Sequence, residues 1–494
     1  MAENESFVDV LVVGAGPVGL ITAYQLARFG GLSVHIIEKN TKSVQDAYGR
    51  AITLFPRTSE MLDQLGLVDE LLQEAFACRE TVGYNARGEE VHGRGWSFMN
   101  EMKDTTFDFA LVLRQKYQEE IFRSALRQCG VEVEAPFELV AVNIDDEISF
   151  EGYSVTATVQ DTEKKVPVTV KCRCLVGADG GRSSVRRILA IPFEGSTSED
   201  KWVRIDGHVK TNLPKPRTYC SIESPTHGNV LWVALDRGAT RIGYAFTDDR
   251  ANAYTEFDEQ AAIKEAVAAV KPFTLEFERV DWWTIYTVGQ RIAKHFSVDD
   301  RVFLAGDACH THSSGAAQGM NTGIHDAVNL AWKLSLVLRG LATPELLKTY
   351  EMERRPNVQK LIQYDADISR LMTNRLPVNW QGDPMADVNE VLGKIMEEAG
   401  TFSSGLGIFY EPMVENTLVG AGSLRGPLKP GMQAPDIPLL KPGTFERTRL
   451  IRETPNVGCF YVAYFAAKSS PGPLHAVSQE IEQSNILREY NRSE

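Results

Sequence analysis

Asp9-Val-Leu-Val-Val13 reads as a short apolar strand that runs directly into Gly14-Ala-Gly16-Pro17-Val18-Gly19. A helical stretch, Leu20 to Phe29, follows and closes on Gly30-Gly31. A second apolar run, Ser33 to Ile37, ends on Glu38. Strand, glycine turn, helix, strand and acid in that order make the βαβ fingerprint of a dinucleotide site, with the acid about twenty positions beyond the last glycine. Gly14 permits the tight turn, Gly16 lets backbone amides approach a pyrophosphate, and Gly19 lets helix and strand pack closely. The helix N-terminus then turns unpaired N–H groups and a positive dipole end toward the phosphates. Glu38 can accept hydrogen bonds from an adenosine ribose, and its charge disfavours a 2′-phosphate. FAD or NAD is therefore favoured over NADP at this site.

The chain has 494 residues, enough for two or three domains with cores of their own. A net charge of −14 argues against nucleic acid or an anionic membrane as the main partner. The seven cysteines are scattered and include no CxxC, so neither a disulfide framework nor a zinc site is expected, and a reducing, cytoplasmic setting is. The first residues, Met-Ala-Glu-Asn-Glu-Ser, are unlike a secretory or mitochondrial leader. No apolar run of about 18 residues is present, and no membrane span is expected.

Along the chain, Thr58 or Ser59 can cap a helix with Met61, Leu62 and Leu65 on its apolar face. A short hairpin near residues 81–92 precedes a helix that begins after Arg114-Gln115. Strands follow up to Val176, the last entering Gly177-Ala-Asp179-Gly-Gly181-Arg182. Residues 195–290 alternate in strand fashion around one helical stretch, Glu259 to Val270, and read as a mostly antiparallel sheet inserted into the first domain. Val302-Phe-Leu-Ala-Gly306-Asp307 returns to the strand-turn pattern. Thr322 to Leu338 has helical apolar spacing, and Pro356 is expected to kink the helix after it. Gly and Pro dominate from Gly422 to Gly443, as in a linker. A strand at Gly458 to Phe465 and a helix at His475 to Tyr490 end the chain.

Three stretches, Gly14–Gly19, Asp179-Gly180 and Gly306-Asp307, each follow an apolar strand, and a ligand at the carboxyl edge of a parallel sheet would meet all of them. In these motifs the chain resembles the single-component FAD-dependent aromatic-ring monooxygenases with the 4-hydroxybenzoate hydroxylase fold, and within them the phenol 2-monooxygenase branch of fungal type. The resemblance spans Asp9 to about Phe465. It implies an α/β plus α+β architecture: a Rossmann-like FAD-binding domain (1–80, 101–194 and 291–390) and a mostly antiparallel β-sheet substrate domain (81–100 and 195–290). A helical or linker segment (391–424) and a truncated thioredoxin-like region (425–494) complete it.

Residue by residue, the resemblance implies FAD contacts at Gly14, Gly16, Pro17, Val18, Gly19, Glu38 and Lys39. Arg50 and Gln115 match positions along the pyrophosphate and ribityl chain. Asp179 matches the Asp-Gly motif, assigned to FAD and to passage of NAD(P)H, and Gly306-Asp307 the Gly-Asp motif, whose aspartate binds the ribityl chain. Gln318-Gly319-Met320-Asn321 opens a helix toward the isoalloxazine edge, where a positive dipole end would stabilise reduced flavin. The chain departs from the wider family at Ser314, where many members carry proline, and at Ala317, where many carry glycine.

For the substrate the informative stretch is Asp281-Trp282-Trp283-Thr-Ile-Tyr286-Thr-Val-Gly289-Gln290-Arg291. By resemblance Tyr286 contacts the aromatic substrate and Arg291 assists; Trp283 and Ser314 join the substrate set. A packing role for Trp282, Trp283 and Tyr286, and an interface role for Arg291, stand beside that reading. The family's aspartate base is absent, with Ile52 or Thr53 in its place. His310, His312 and His325 lack carboxylate support at metal-ligand spacing, so no metal is expected. The implied activity is hydroxylation of a phenol in secondary metabolism or aromatic degradation, using FAD, NADPH or NADH, and O2, through a flavin C4a-hydroperoxide. Epoxidation, decarboxylating or Baeyer–Villiger-type oxygenation, and a flavin-binding protein without turnover are the alternatives. A halogenase is disfavoured, since no Trp-x-Trp-x-Ile-Pro stretch occurs. A homodimer is expected from the resemblance.

Overall fold

The parallel part of the first sheet is built on β1 (Glu5–Val13), whose last residues Val10 to Val13 lie in the core. A run without polar alternation is what a strand covered on both faces requires. In the computed structural model β1 lies between β11 (Pro167–Gly177) and β2 (Val34–Ile37), both parallel to it. The sheet continues to β8 (Val133–Glu134) on one side and to β18 (Val302–Leu304) and β17 (Ser297–Val298) on the other. Two antiparallel strands, β9 (Phe137–Ile144) and β10 (Val155–Asp161), complete eight. The structure describes residues 5–461 except 47–50, 93–95, 97–98, 100–101, 103, 314–316 and 413–427, and beyond them only 476, 479–480 and 482–483.

Helices α1 (Pro17–Phe29), α3 (Gln115–Gln128) and α6 (Gly319–Leu338) flank this sheet, with α2 (Pro56–Gln64) and the short α4 (Ser184–Ile188) at its ends. The helix α7 (Glu345–Met372) contains Pro356 and continues through it. Both of its halves bury apolar side chains, Leu347 and Tyr350 before the proline and Val358, Leu361 and Ile368 after it. Tertiary packing thus holds the helix across the lost hydrogen bond.

A second eight-stranded sheet has the order β19 (His310–Thr311), β16 (Leu275–Ala293), β12 (Phe193–Thr211), β15 (Thr240–Phe246), β14 (Gly228–Ala234), β13 (Tyr219–Ser224), β5 (Thr81–Tyr84), β6 (Glu90–Val91). All neighbours are antiparallel except β13 and β5. The period of two divides its residues cleanly. Val203, Ile205, Ile242 and Tyr244 pack on one face with Ala262, Ala266 and Ala269 of α5 (Glu259–Ala269). Trp202, Tyr219, Leu231 and Val233 pack on the other with Ile368 and Leu371 of α7 and with Val391 and Leu392 of α8 (Val388–Glu398). Ile52, Ala110 and Val112 join this second cluster from a small sheet of β3 (Thr53–Leu54), β7 (Ala110–Val112) and β4 (Phe76–Cys78). Of the C-terminal part, Pro438–Leu440 pairs antiparallel with Arg447–Arg449. The strand and helix expected beyond Gly458 lie for the most part outside the described residues.

One buried ion cluster ties the two sheets together. Arg114, at the start of α3, donates to Asp236 from Nη2 at 2.7 Å and from Nε at 3.0 Å, and from Nη1 to Asp281 at 2.8 Å. Asp236 is buried, so removing the guanidinium would strand a carboxylate in the interior. Arg114→Met is expected to destabilise the fold by about 3–5 kcal/mol, measured by urea denaturation. An Arg114→Met protein with the parent's denaturation midpoint would contradict the assignment of this cluster as the tie.

Candidate functional site

The carboxyl ends of β1, β11 and β18 meet where the glycine turn begins. Gly14 has φ +102°, a left-handed-side conformation open to glycine, and its N–H donates to the Ile37 carbonyl at 2.8 Å. A Cβ on Gly14 would stand 2.5 Å from the Ala178 carbonyl oxygen, and one on Gly19 only 1.9 Å from that of Gly14. At Gly16 the same atom would meet nothing within 4 Å. Gly14 and Gly19 are therefore demanded by packing, whereas Gly16 leaves free space at the N-terminus of α1. Gly16 is the N-cap of α1, no side chain caps it, and Pro17 in the first turn has no N–H to leave unpaired. Val18 fills the room missing at two other glycines: its Cγ2 would be 2.8 Å from a Cβ on Gly306 and 2.6 Å from one on Gly323. The three separate stretches are thus brought into contact. An uncapped helix N-terminus beside open space fits the diphosphate of FAD.

Glu38 ends β2 with both oxygens engaged, one accepting from the Ala15 N–H at 2.9 Å and the other from the Asn40 N–H at 3.0 Å. It thereby fixes the glycine turn. Lys39 is exposed beside it. Arg123 of α3 escaped the sequence reading; it donates to the Ala15 carbonyl at 3.2 Å and to Gln45. Burial pulls its pKa down, and the charges of Glu119 and Glu38 oppose that. Gln115 clamps residue 51, accepting from the Ala51 N–H at 3.3 Å, and its amide donates to Glu119 at 2.8 Å. Arg50 lies outside the described residues.

Asp179 caps α4, accepting from Ser184 N–H at 2.6 Å and Val185 N–H at 3.1 Å. Burial raises its pKa despite these bonds, and its Oδ1 is buried with no partner among the described residues. Asp307 is exposed in the turn after β18. At the start of α6, Gln318 Nε2 donates to the Ser403 carbonyl at 2.7 Å, Gly319 opens the helix and Met320 is buried. Asn321 Nδ2 donates to the Thr53 and Ala317 carbonyls, each at 3.0 Å, while its Oδ1 accepts from the Phe55 N–H at 2.9 Å. Ala317 has φ +54°, which accounts for glycine being the commoner residue there in the family it resembles. Ser314 lies outside the described residues.

Behind this edge sits a charge network that sequence spacing did not reveal. Asp326 Oδ2 accepts from His310 Nε2 at 2.7 Å and from the Gly306 N–H at 3.1 Å, and Oδ1 accepts from Arg354 Nε at 2.7 Å. Cys309, His310 and Asp326 are close enough to share an ion, but the carboxylate is occupied by these donors, and burial pushes the Cys309 thiol far up, away from the thiolate a metal needs. His325 bonds Thr58 and His312 the Ser313 carbonyl, so the three histidines serve different contacts.

On the substrate side, Tyr286 lies on the same buried cluster as Trp202 and Tyr219, and so does Ala317 from the turn before α6. Trp283 falls on the opposite face, its ring 6.0 Å from that of Phe257. An odd separation in one strand puts two side chains on opposite faces. Arg291 donates to Thr197 at 3.0 Å. Of the expected aromatic substrate residues, Tyr286 lines this cluster and Trp283 does not.

The glycine geometry predicts opposite outcomes for two similar substitutions. Gly16→Ala is expected to keep the fold but lower FAD affinity by roughly ten- to a hundredfold, whereas Gly19→Ala is expected to lower the thermal midpoint as well. Flavin absorbance and thermal melts distinguish them; equal effects would refute the distinction. Burial alone would raise Asp326, but Arg354 and His310 hold it down at about 2. With the folded pKa below the unfolded value of about 3.9, its stabilisation is complete above that value and fades as pH falls toward 2. Thermal melts of the parent between pH 5 and 2 should accordingly decline more steeply than those of Asp326→Asn. Parallel curves would remove Asp326 as the cause.

The FAD binding domain family model matches residues 7–365. A phenol 2-monooxygenase of Aspergillus fumigatus is 31% identical over 453 residues, covering 89% of this chain and 72% of that protein. A 3-hydroxybenzoate 4-monooxygenase of Comamonas testosteroni is 31% identical over 460 residues, covering 88% and 70%. Among solved structures, the OxyS anhydrotetracycline hydroxylase from Streptomyces rimosus superposes with a TM-score of 0.68 at 27% identity, over 90% of this chain and 83% of that one. The p-nitrophenol 4-monooxygenase from Pseudomonas putida gives 0.67 at 25% identity, over 80% and 97%. The open cradle at Gly16, the uncapped helix and the Gly306-Asp307 turn now have a common explanation: the chain belongs to the FAD-binding family of flavoprotein monooxygenases.

Proposed function

We propose that this chain hydroxylates a phenolic ring, taking electrons from NADPH or NADH and oxygen from O2. The observation that carries the reading is the aromatic cluster of Trp202, Tyr219 and Tyr286, which adjoins Ala317 of the turn that opens α6. A ring bound there stacks among apolar side chains with a phenol group at its edge, next to the cofactor's helix. The relatives named for phenol, hydroxybenzoate and nitrophenol support the same substrate class. When bound, FAD supplies the transfer of one oxygen atom from O2 after reduction by the nicotinamide.

The protein's own contributions are position, charge and exclusion of water. The amides of Gly16, Val18 and Gly19, with Glu38 and Arg123 beside them, would hold the ADP end, and Asp307 would accept from the ribityl hydroxyls. The N-terminus of α6 at Gly319 and Met320 would face the ring system and favour negative charge there. Tyr286 hydrogen-bonds the substrate hydroxyl and orients the ring, while Ile52, Phe55 and Val112 keep water from the reacting carbon. Residues 1–80, 101–194 and 291–390 serve the cofactor in this reading and 81–100 and 195–290 the substrate. The working unit is a homodimer in the cytoplasm. No helix of the described residues is long and apolar enough to cross a membrane.

Purified protein should be yellow and should oxidise NADPH or NADH faster when a suitable phenol is added. Absence of bound flavin, or oxidation indifferent to every phenol in a broad panel, would overturn the reading. Tyr286→Phe is expected to lower kcat/KM by roughly ten- to a hundredfold with flavin content unchanged, as loss of one hydrogen bond to a charged or polarised hydroxyl implies. Turnover equal to the parent's would remove Tyr286 from the substrate's contacts.

A further inference from the structure

We propose that a basic cleft at the start of α3, lined by Lys116, Arg237 and Arg279, binds the phosphorylated adenosine end of the reductant, and that the reductant is NADPH rather than NADH. The inference rests on the reading above in which a nicotinamide dinucleotide reduces the flavin. It deepens that reading by giving the dinucleotide a site of its own, which the single glycine fingerprint at Gly14 to Gly19 does not supply.

The cleft has a volume of about 510 Å³, within the range of small-molecule sites. It lies where α3 meets β12, β16 and the turn between β14 and β15. Arg114, Lys116, Arg237 and Arg279 bring four cations to its lining, in a chain whose net charge is −14. Asp281 is the acid among the lining residues, and both its oxygens are occupied. Oδ2 accepts from Arg114 Nη1 at 2.8 Å and Oδ1 from Arg279 Nε at 2.7 Å. Arg114 also holds the buried Asp236, and Arg237 gives Nη2 to Glu74 at 3.1 Å. Four cations thus meet three carboxylates, Asp236, Asp281 and Glu74, and Lys116 makes no ion pair with any described residue. Arg279 binds Asp281 through Nε, so among the described residues its terminal nitrogens remain donors.

The shape of the lining selects among anions. The Arg237 guanidinium carbon lies 3.9 Å from the Tyr117 ring centre, and Lys116 Nζ lies 5.1 Å from it. A guanidinium seated on an aromatic ring offers a purine a surface to stack on. Lys116 beside the same ring, and Arg279 from β16, offer charge and donors to a phosphate ester. No side chain caps α3, so the positive end of its dipole adds to theirs. At the first adenosine site the charge of Glu38 disfavours a 2′-phosphate; here the carboxylates are already answered and cations are in excess. Gln115, between Arg114 and Lys116, accepts from the Ala51 N–H at 3.3 Å. The cleft and the cofactor edge therefore share the first turn of one helix.

The test uses FAD-loaded protein, in which the first adenosine site is filled, and adenosine 2′,5′-bisphosphate as the probe. Calorimetry should show the bisphosphate binding to the parent and binding roughly tenfold more weakly to Lys116→Gln and to Arg279→Gln, as loss of one charge-assisted hydrogen bond implies. Lys116→Arg should recover most of the loss. The same two variants should raise KM for NADPH roughly tenfold and leave KM for NADH within about twofold, with flavin content unchanged. If one variant fails to retain FAD, the other, on a different element, is read alone. Inorganic phosphate competing as well as the bisphosphate would mark a general anion site and overturn the NADPH assignment. Variants that bind and turn over like the parent, or a parent that prefers NADH, overturn it too and leave the flavin reading standing. A parent that oxidises neither nucleotide, with or without a phenol, overturns the reading beneath it as well.

Discussion

The carbonyl oxygen of Gly14 occupies the place that a side chain at Gly19 would need, and the Ala178 carbonyl does the same to Gly14. These are contacts of backbone on backbone, so no rotamer change can relieve them. Val18 adds a third interlock by filling the space left at Gly306 and Gly323. The result joins segments from residues 14, 178 and 306 into one rigid edge before any ligand arrives. Close packing of this kind yields little to substitution. Gly16 differs from Gly14, Gly19, Gly306 and Gly323: a Cβ there would meet nothing within 4 Å, which leaves space at the N-terminus of α1.

A second layer makes the edge a defined shape. Asp326, buried in α6, reaches the Gly306 N–H and His310 with one oxygen and Arg354 with the other. Arg354 in turn donates to the Thr322 carbonyl at 3.3 Å, in the first turns of the same helix. Lys333 and Glu353, 2.6 Å apart and also buried, join α6 to α7 one layer further back. Burying such ions is expensive, and only good geometry offsets it. Because each donor here has a fixed partner, the network admits one arrangement of the Gly306-Asp307 turn relative to the helix that follows.

The cofactor edge was legible in the sequence because its information is local. Gly14, Gly16, Gly19 and Glu38 are spaced by backbone geometry, and the strands before them are apolar without alternation. The substrate side was less so. The alternation of β16 could be counted, but both faces of its sheet are buried, so composition did not say that Tyr286 and Trp283 look into different clusters. Asp179 illustrates another limit: an acid after a strand gives no sign in the sequence that one of its oxygens accepts from the first turn of the next helix, as Oδ2 does here. Arg123 and Asp326 were missed for a shared reason. Each is a single charge whose partner is distant in sequence, and the only local hint is polarity where the surrounding stripe is apolar.

The two faces of the second sheet explain where a substrate would sit. One face is sealed by α5, whose alanines lie close to Val203 and Ile205 and leave nothing polar to recognise. The other carries Trp202 and Tyr286 beneath a cover drawn from β7, α7 and α8. Ala317 packs against the same cluster. Its left-handed backbone costs roughly 1–2 kcal/mol, yet Asn321 bonds its carbonyl while gripping Thr53 and Phe55 across the junction. The conformation of the turn beside the pocket is thus dictated from the cofactor side. If the aromatic cluster takes the substrate, its geometry and that of the cofactor edge are set by the same few hydrogen bonds.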